Sequence, residues 1–132
     1  MTEDVLQLIP RDPSDAPEAL GGYCQGLSVR GASELLFISG QIPQDRVGQV
    51  SPGFEDQCRM VWRNIVATLE AAALDVGQLV KVTTYLSSRE YAATNSAVRR
   101  EVLGDHRPAL TVVVAEIFDP AWLLEIEAIA AA

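Results

Sequence analysis

The stretch that most constrains the fold is HRPALTVVVAEIF, residues 106–118. It follows a helix stop, because Gly104 occupies the position of a C-cap glycine and Pro108 stands shortly beyond it. Residues 110–117 are almost all apolar and rich in valine, which favours a β-strand. Successive side chains of a strand point to opposite faces, and both faces here are apolar. The stretch therefore predicts a strand that is covered on both sides.

The other elements are predicted from apolar periodicity. Alternation predicts five further strands, at residues 5–9, 26–30, 35–40, 80–86 and 122–130, the first of them ended by Pro10. A long helix is predicted to begin at a Ser51 cap with Pro52 in its first turn. Its apolar stripe recurs every three or four residues and comprises Phe54, Cys58, Val61, Ile65, Leu69 and Ala72. A second helix is predicted at about residues 91–103.

The order of these elements predicts an α+β fold for residues 1–132 as one domain. Two helices cannot cover both faces of a mixed sheet of about six strands, so we expect both helices on one face. The other face is then largely apolar, although it carries Glu125 and Glu127. Such a face needs to be buried by other copies of the chain, which predicts a homo-oligomer.

Composition excludes several classes of protein. The 18 acidic and 10 basic residues give a net charge of −8, which argues against a surface that binds nucleic acid. No apolar stretch is long enough to span a membrane, and the acidic start does not have the pattern of a signal peptide. Cys24 and Cys58 have no metal or redox spacing, so we expect free thiols. The sequence predicts a soluble cytoplasmic protein.

Few residues suggest chemistry by themselves. There is no phosphate loop, nucleophile elbow or metal constellation, and His106 is the only histidine, so we expect no metal, no cofactor and a solvated His106. One of Glu125 and Glu127 could act as general acid or base or hold a water, or the two could pair with arginines across a subunit boundary or lie at a wet sheet edge. Asn95 interrupts an apolar helix stripe and fits a structural tie better than a substrate contact. Tyr23 follows the pair Gly21-Gly22 and could be a loop anchor or part of a pocket wall.

Several segments together resemble the Rid family of reactive intermediate deaminases, also called the RutC or L-PSP endoribonuclease family. They are APEALGGYCQG (16–26), LLFISGQIP (35–43), Gln57, Asn64, LVKVTTYL (79–86), the region of Asn95, HRPALTVVVAE (106–116) and EIEAIA (125–130). The resemblance covers nearly the whole chain from about residue 16. It implies a chorismate-mutase-like α+β fold and a homotrimer with small-molecule sites in clefts between subunits.

The family's best-known activity, hydrolysis of reactive imines and enamines to a ketoacid and ammonia, implies roles for matching residues. Glu125 is expected to orient water or stabilise the iminium, and Tyr23 to line the cleft as its catalytic partner. The resemblance also implies that four residues bind or support the substrate: Ser39, Asn95, Leu110 and Val112. This chemistry needs no cofactor, because an iminium carbon is already electrophilic.

The chain departs from the family at Leu110, which ends RPAL where the deaminases have RPAR. That arginine grips the substrate carboxylate in a bidentate pair, a contact worth about 2–5 kcal/mol in a desolvated site. Arg107 is a poor substitute, and Gly22 and Cys24 also depart from the family pattern. We therefore expect an imine or enamine hydrolase that does not use the usual carboxylate-bearing 2-imino acids. The alternative is a non-catalytic ligand-binding or regulatory trimer, and the net charge disfavours an endoribonuclease.

Overall fold

A computed structural model describes residues 5–132 of the chain. The strands are β1 (Gln7–Arg11), β2 (Gly26–Arg30), β3 (Leu35–Gln41), β4 (Leu79–Leu86), β5 (Ala109–Val114) and β6 (Leu124–Ala131). The helices are α1 (Phe54–Ala71) and α2 (Ala92–Leu103), and short 3-10 turns precede β4 and α2. These elements confirm the predicted α+β class, with six strands and two helices. None of the helices described is long and apolar enough to cross a membrane.

The six strands form two ladders. The strands β1 and β2 make an antiparallel hairpin, and the other four form a mixed sheet in the order β3-β6-β4-β5. Only β4 and β5 are parallel, because α2 returns the chain to the same end of the sheet between them. The predicted mixed pairing is confirmed, and the hairpin forms its own ladder beside the main sheet.

Both helices pack on one face of the four-stranded sheet, as predicted. The alternation along β4 buries Val82, Thr84 and Leu86 toward the helices, and β6 does the same with Leu124, Ile126, Ala128 and Ala130. The predicted stripe of α1 meets them, since Cys58, Val61, Ile65 and Leu69 are fully buried. Each large apolar side chain buried in this layer contributes about 1.5–3 kcal/mol. We call the opposite face, which no helix covers, the open face.

The open face is more polar than the sequence indicates. Lys81, Thr83 and Tyr85 of β4 lie on it, and Lys81 Nζ donates to Thr111 Oγ1 at 2.7 Å. Exposed apolar side chains accompany them, including Phe37, which is 69% exposed. The prediction that β5 is covered on both sides is wrong for a single chain. It is an edge strand of the sheet, and Val112, Val113 and Val114 are all exposed.

Two local predictions also need correction. Pro10 does not end the first strand but lies within β1, opposite Leu27. An edge strand tolerates the missing N–H of proline. The first helix begins after Gly53, and no side chain caps it, so Ser51 is not its cap. Ser51 instead accepts a hydrogen bond at its carbonyl oxygen from Gln57 Nε2 at 2.8 Å.

Candidate functional site

Glu125 lies on the open face, on β6 opposite Tyr85 of β4. Its carboxylate reaches over β3 at a point where the pairing of β3 with β6 shifts register between Ile38 and Gln41. A Cβ atom built on Gly40 would collide with that carboxylate. The bulge and the missing side chain therefore leave a niche in which the Glu125 carboxylate lies close to the backbone of Gly40.

Glu127, two residues along the same strand, has a different environment. Tyr85 Oη donates to Glu127 Oε1 at 2.8 Å. This hydrogen bond raises the pKa of Tyr85, with desolvation and the charges of both glutamates adding to the effect. Within residues 5–132, neither glutamate pairs with an arginine, and pairing across a subunit boundary stays a prediction. Glu127 is tied to a tyrosine, and Glu125 has no such partner.

Ser39 stands on the exposed side of β3, in the same bulge as Gly40. It lines a cavity of about 450 Å³ on the open face. The other residues of this cavity come from β3, β4 and β6, namely Phe37, Ile38, Lys81, Thr83, Glu127, Ala128 and Ile129. Ser39 and Glu125 therefore belong to one face of the sheet.

Leu110 and Val112 lie on the other face of the sheet. They pair with Val82 and Thr84 of β4, which point toward the helices, and residues paired across a parallel ladder share a face. Leu110 is half-buried against the hydrophobic core, and Val112 is 43% exposed at the sheet edge. The sheet itself thus separates Leu110 and Val112 from Glu125.

Tyr23 belongs to a loop that two contacts hold between α2 and β5. Arg99 Nη2 of α2 donates to the carbonyl oxygen of Gly21 at 2.8 Å. On the other side, Cys24 forms a bridge with Ala109, and its backbone N–H donates to Pro108 O at 3.2 Å. Gly21 has a φ of 107°, a conformation that side chains disfavour, so glycine is needed for this turn. Tyr23 immediately precedes Cys24 in the chain, and Leu110 immediately follows Ala109, so both residues adjoin this bridge.

Asn95 is 2% exposed and faces α1 rather than any open surface. Its Oδ1 lies 3.9 Å from Cys58 Sγ. Burial raises the pKa of Cys58 to about 12, so its thiol stays neutral and can act as a weak donor. The structure thus places Asn95 between the helices, where a structural tie fits better than a substrate contact.

His106 is not the solvated loop residue that we expected. It is half-buried, and its Nε2 lies 2.6 Å from Leu79 O at the start of β4. The contact joins the turn before β5 to the neighbouring strand. No group of three or more His, Cys, Asp and Glu side chains that could hold a metal occurs within residues 5–132.

The geometry divides the predicted residues into three places. Ser39 and Glu125 are on the open face, Leu110 and Val112 are on the helix-facing side of β5 next to the Tyr23 loop, and Asn95 is inside the helix layer. One chain does not bring the two groups on opposite faces together.

Comparison with known proteins identifies the family of the chain. Residues 13–132 match the family described as Endoribonuclease L-PSP. The chain belongs to the Rid family. It is 39% identical over 118 residues to a RutC family protein of Pyrococcus horikoshii, covering 88% of this chain and 91% of that protein. It is 34% identical over 120 residues to the 2-iminobutanoate/2-iminopropanoate deaminase of Salmonella typhimurium, with the same coverage of 88% and 91%.

A solved structure of a related protein has the same fold as this chain. The Rid chain is similar to Escherichia coli TdcF with bound serine, at a TM-score of 0.71 and 30% identity, covering 94% of this chain and 98% of that one. The resemblance carried by SGQIP and EIEAIA is therefore confirmed as family membership, and the fold that it implies is confirmed with it.

Sequence reasoning missed two residues of this Rid chain that shape the candidate site. Gly40 makes room for Glu125, and Arg99 holds the Tyr23 loop. A signal for Arg99 was present, because it lies four residues after Asn95 and therefore on the same buried face of α2. No sequence signal connects Gly40 with Glu125, because the contact depends on the register of β3 against β6.

Proposed function

We propose that the chain is a Rid-type hydrolase that acts on an imine or enamine. Its residue at position 110 does not bind a carboxylate of the substrate. One observation carries this proposal: Leu110 packs against the hydrophobic core beside the Tyr23 loop, where it offers no cation. A 2-imino acid bound there would have to desolvate its carboxylate without a partner.

The residues that support hydrolysis are still present. An imine carbon needs an attacking water and a group that accepts the proton from it. Glu125 can do this because its carboxylate lies in the niche beside Gly40 and forms no ion pair among residues 5–132. Tyr23 can donate to the departing nitrogen or line the pocket. Water adds to the C=N bond, and the carbinolamine then releases ammonia and leaves a carbonyl product.

We propose further that the active site lies between copies of the chain in a homotrimer. The sheet separates Glu125 and Ser39 from Leu110, Val112 and Tyr23, so a complete site requires Glu125 from one copy and the Tyr23 loop from another. Two observations favour this assembly. The open face exposes apolar side chains such as Phe37, and the outer edge of β5 beyond Ala109 has no strand partner in the described part of the chain.

The test is ammonia release from 2-iminobutanoate, generated in situ by an amino acid oxidase, compared with imines that lack a carboxylate on the reacting carbon. We expect Leu110→Arg to raise kcat/KM for 2-iminobutanoate by about thirtyfold or more, the lower limit for such a contact. Leu110→Met controls for size, and Leu110→Lys controls for charge without the bidentate geometry.

Two results would contradict the proposal. If the wild-type chain turns over 2-iminobutanoate and Leu110→Arg adds nothing, Leu110 does not set the substrate class. If Glu125→Gln leaves the turnover of an accepted imine intact, Glu125 does not act on the water.

A second candidate is a trimer that binds a small ligand without turnover. The packing of Leu110 against the core favours this candidate, because Leu110 offers a bound ligand an apolar contact and no catalytic group. Turnover of any imine that is abolished by Glu125→Gln would rule out this candidate.

A further inference from the structure

Arg99 is the one charged side chain that is buried within residues 5–132, at 5% exposure. Its Nη2 donates to Gly21 O at 2.8 Å and lies 3.4 Å from Ser96 Oγ, while its buried Nε has no partner. Neither contact supplies negative charge. A buried guanidinium is normally paired with a carboxylate, because desolvation of the charge is otherwise uncompensated.

Arg100 adds a second positive charge at the same loop. A Cβ atom on Gly21 would lie 3.1 Å from Arg100 Nη2, and one on Gly22 would lie 3.6 Å from Arg100 Cγ, so this side chain extends along the glycine pair. Within residues 5–132, neither arginine forms an ion pair. This is unusual in a chain with 18 acidic and 10 basic residues, where acidic partners are plentiful.

The electrostatics of the pair favour an incoming anion. Burial lowers the pKa of Arg99, and the adjacent Arg100 lowers it further, while Cys58 and Tyr23 act in the opposite direction. The two like charges therefore repel each other, and Arg99 is poorly solvated because it is buried, whereas Arg100 is exposed to solvent. A bound oxyanion would relieve this repulsion, could accept from the exposed guanidinium of Arg100, and would place a negative charge beside buried Arg99, whose Nε has no partner among the described residues.

The position of the pair relates it to the candidate site. Arg99 holds Gly21 at one end of the loop, and Cys24 bridges Ala109 at the other end, so along the chain Tyr23 lies between these two attachment points. The Tyr23 ring and Arg100 both come close to Gly21, since a Cβ atom there would lie 3.9 Å from Tyr23 Cε1 and 3.1 Å from Arg100 Nη2, so a group held by the arginines would be near Tyr23.

We propose that Arg99 and Arg100 form an oxyanion subsite beside Tyr23 that takes a carboxylate or phosphate group of the substrate. That the ligand is a substrate rests on the proposed hydrolase function. Because this subsite is on α2 and not at position 110 of β5, the anionic group is not the one attached to the reacting carbon. The substrate class is an imine or enamine with its acidic group farther along the molecule.

A purely structural role for Arg99 would consist of the hydrogen bond to Gly21 alone. Arg99→Gln separates the two roles, because its side-chain amide can still donate to a carbonyl but carries no charge. Arg100→Gln tests the subsite without disturbing a buried residue. Arg63→Gln is the matched control, since Arg63 is an exposed helix arginine that forms no ion pair within the described residues.

The experiment is an NMR titration of the full chain with inorganic phosphate and, separately, with propionate, at constant ionic strength. We expect saturable shifts of the Gly21 and Gly22 amides and of the Arg99 Nε–H resonance. The affinity should fall about tenfold in Arg99→Gln and several-fold in Arg100→Gln, and should be unchanged in Arg63→Gln. Stronger binding of one probe assigns the subsite to a carboxylate or to a phosphate.

The proposal is overturned if neither probe produces a saturable shift up to about 50 mM, or if the loss in Arg63→Gln equals that in Arg99→Gln. It is also overturned if both subsite variants bind like the wild type. This titration requires no turnover. Anion binding without imine hydrolysis would therefore reject the proposed function and keep the subsite. Hydrolysis without anion binding would reject the subsite and keep the proposed function.

Discussion

The carboxylate of Glu125 occupies the space into which any side chain at position 40 would extend, so Gly40 and Glu125 share one niche in the bulge of β3. Glycine is favoured at position 40 because the Glu125 carboxylate comes close to its backbone. The backbone conformation is not the reason, since the φ of Gly40 does not lie in the left-handed region. The carboxylate lies in this niche without an ion pair to any residue in 5–132, which leaves its oxygens free to bind a water molecule.

Gly40→Ala should push the Glu125 carboxylate out of this niche. We expect imine hydrolysis to fall by about a hundredfold, because small displacements of a reacting group have effects of this size, and the free energy of unfolding to change by less than about 1 kcal/mol, because the displaced carboxylate is the end of a flexible side chain. Enzyme assays and urea denaturation measure the two effects. Gly26→Ala is the control, since its Cβ would make ordinary contacts at 3.6 Å. Unchanged activity in Gly40→Ala would show that the niche does not position Glu125.

Gln57 connects α1 to two loops and should be important for stability. Its Nε2 donates to Ser51 O at 2.8 Å and to Ala121 O at 2.9 Å, and its Oε1 accepts from Leu123 N at 2.8 Å. Gln57→Leu leaves these backbone groups unpaired and should lower the free energy of unfolding by about 2–4 kcal/mol. Urea denaturation tests this. Arg63→Ala on the exposed side of α1 should stay within about 0.5 kcal/mol of the wild type.

Cys58 should make the fold less stable at high pH. Burial raises its pKa from 9.0 to about 12, so between these values the folded chain binds a proton that the unfolded chain has released. The contribution of Cys58 is fully present below pH 9.0 and is lost as pH rises toward about 12. Unfolding free energies of the wild type and Cys58→Ala, measured across this range, should differ least at its upper end. A constant difference would contradict the prediction.

The native chain should also protect this thiol from modification. Since the thiolate is the reactive form, Cys58 should be alkylated by iodoacetamide at pH 8 only as fast as the chain unfolds. Peptide mass spectrometry follows the label at that residue. Rapid labelling under native conditions would show that Cys58 is accessible.

The open face should mediate assembly. Phe37 is 69% exposed on this face, whereas Val47 is 78% exposed in a loop. Introducing a charge at the interface should dissociate the proposed trimer, so Phe37→Asp should lower the mass from three times 14.3 kDa to that of one chain. Light scattering after gel filtration measures the mass. Val47→Asp should remain assembled, and an assembled Phe37→Asp would place the interface elsewhere.

Local patterns in the sequence predicted the elements well. The spacing of Cys58, Val61, Ile65 and Leu69 fixed the buried side of α1, because helical periodicity depends only on neighbouring residues. The alternation along residues 80–86 likewise fixed the faces of β4. Motifs such as SGQIP and EIEAIA then identified the family, which the comparisons confirm.

Features that depend on strand order were not predicted. Nothing within residues 110–117 shows that β5 is an edge strand, because its neighbours are set by distant segments. The same holds for Glu125 and Glu127, which look equivalent in the sequence. One meets Gly40 across the bulge and the other meets Tyr85, and only the register of three strands creates this difference.

The outer edge of β5, which no other described strand pairs with beyond Ala109, has a consequence for the chain before it assembles. From Leu110 to Val114 it presents free backbone groups and exposed valines, a combination that invites pairing with any extended segment nearby. A newly made chain must therefore find its proper partners faster than it meets wrong ones. Under the proposed assembly, yield on refolding should peak at an intermediate protein concentration, with slow association below it and aggregation above it.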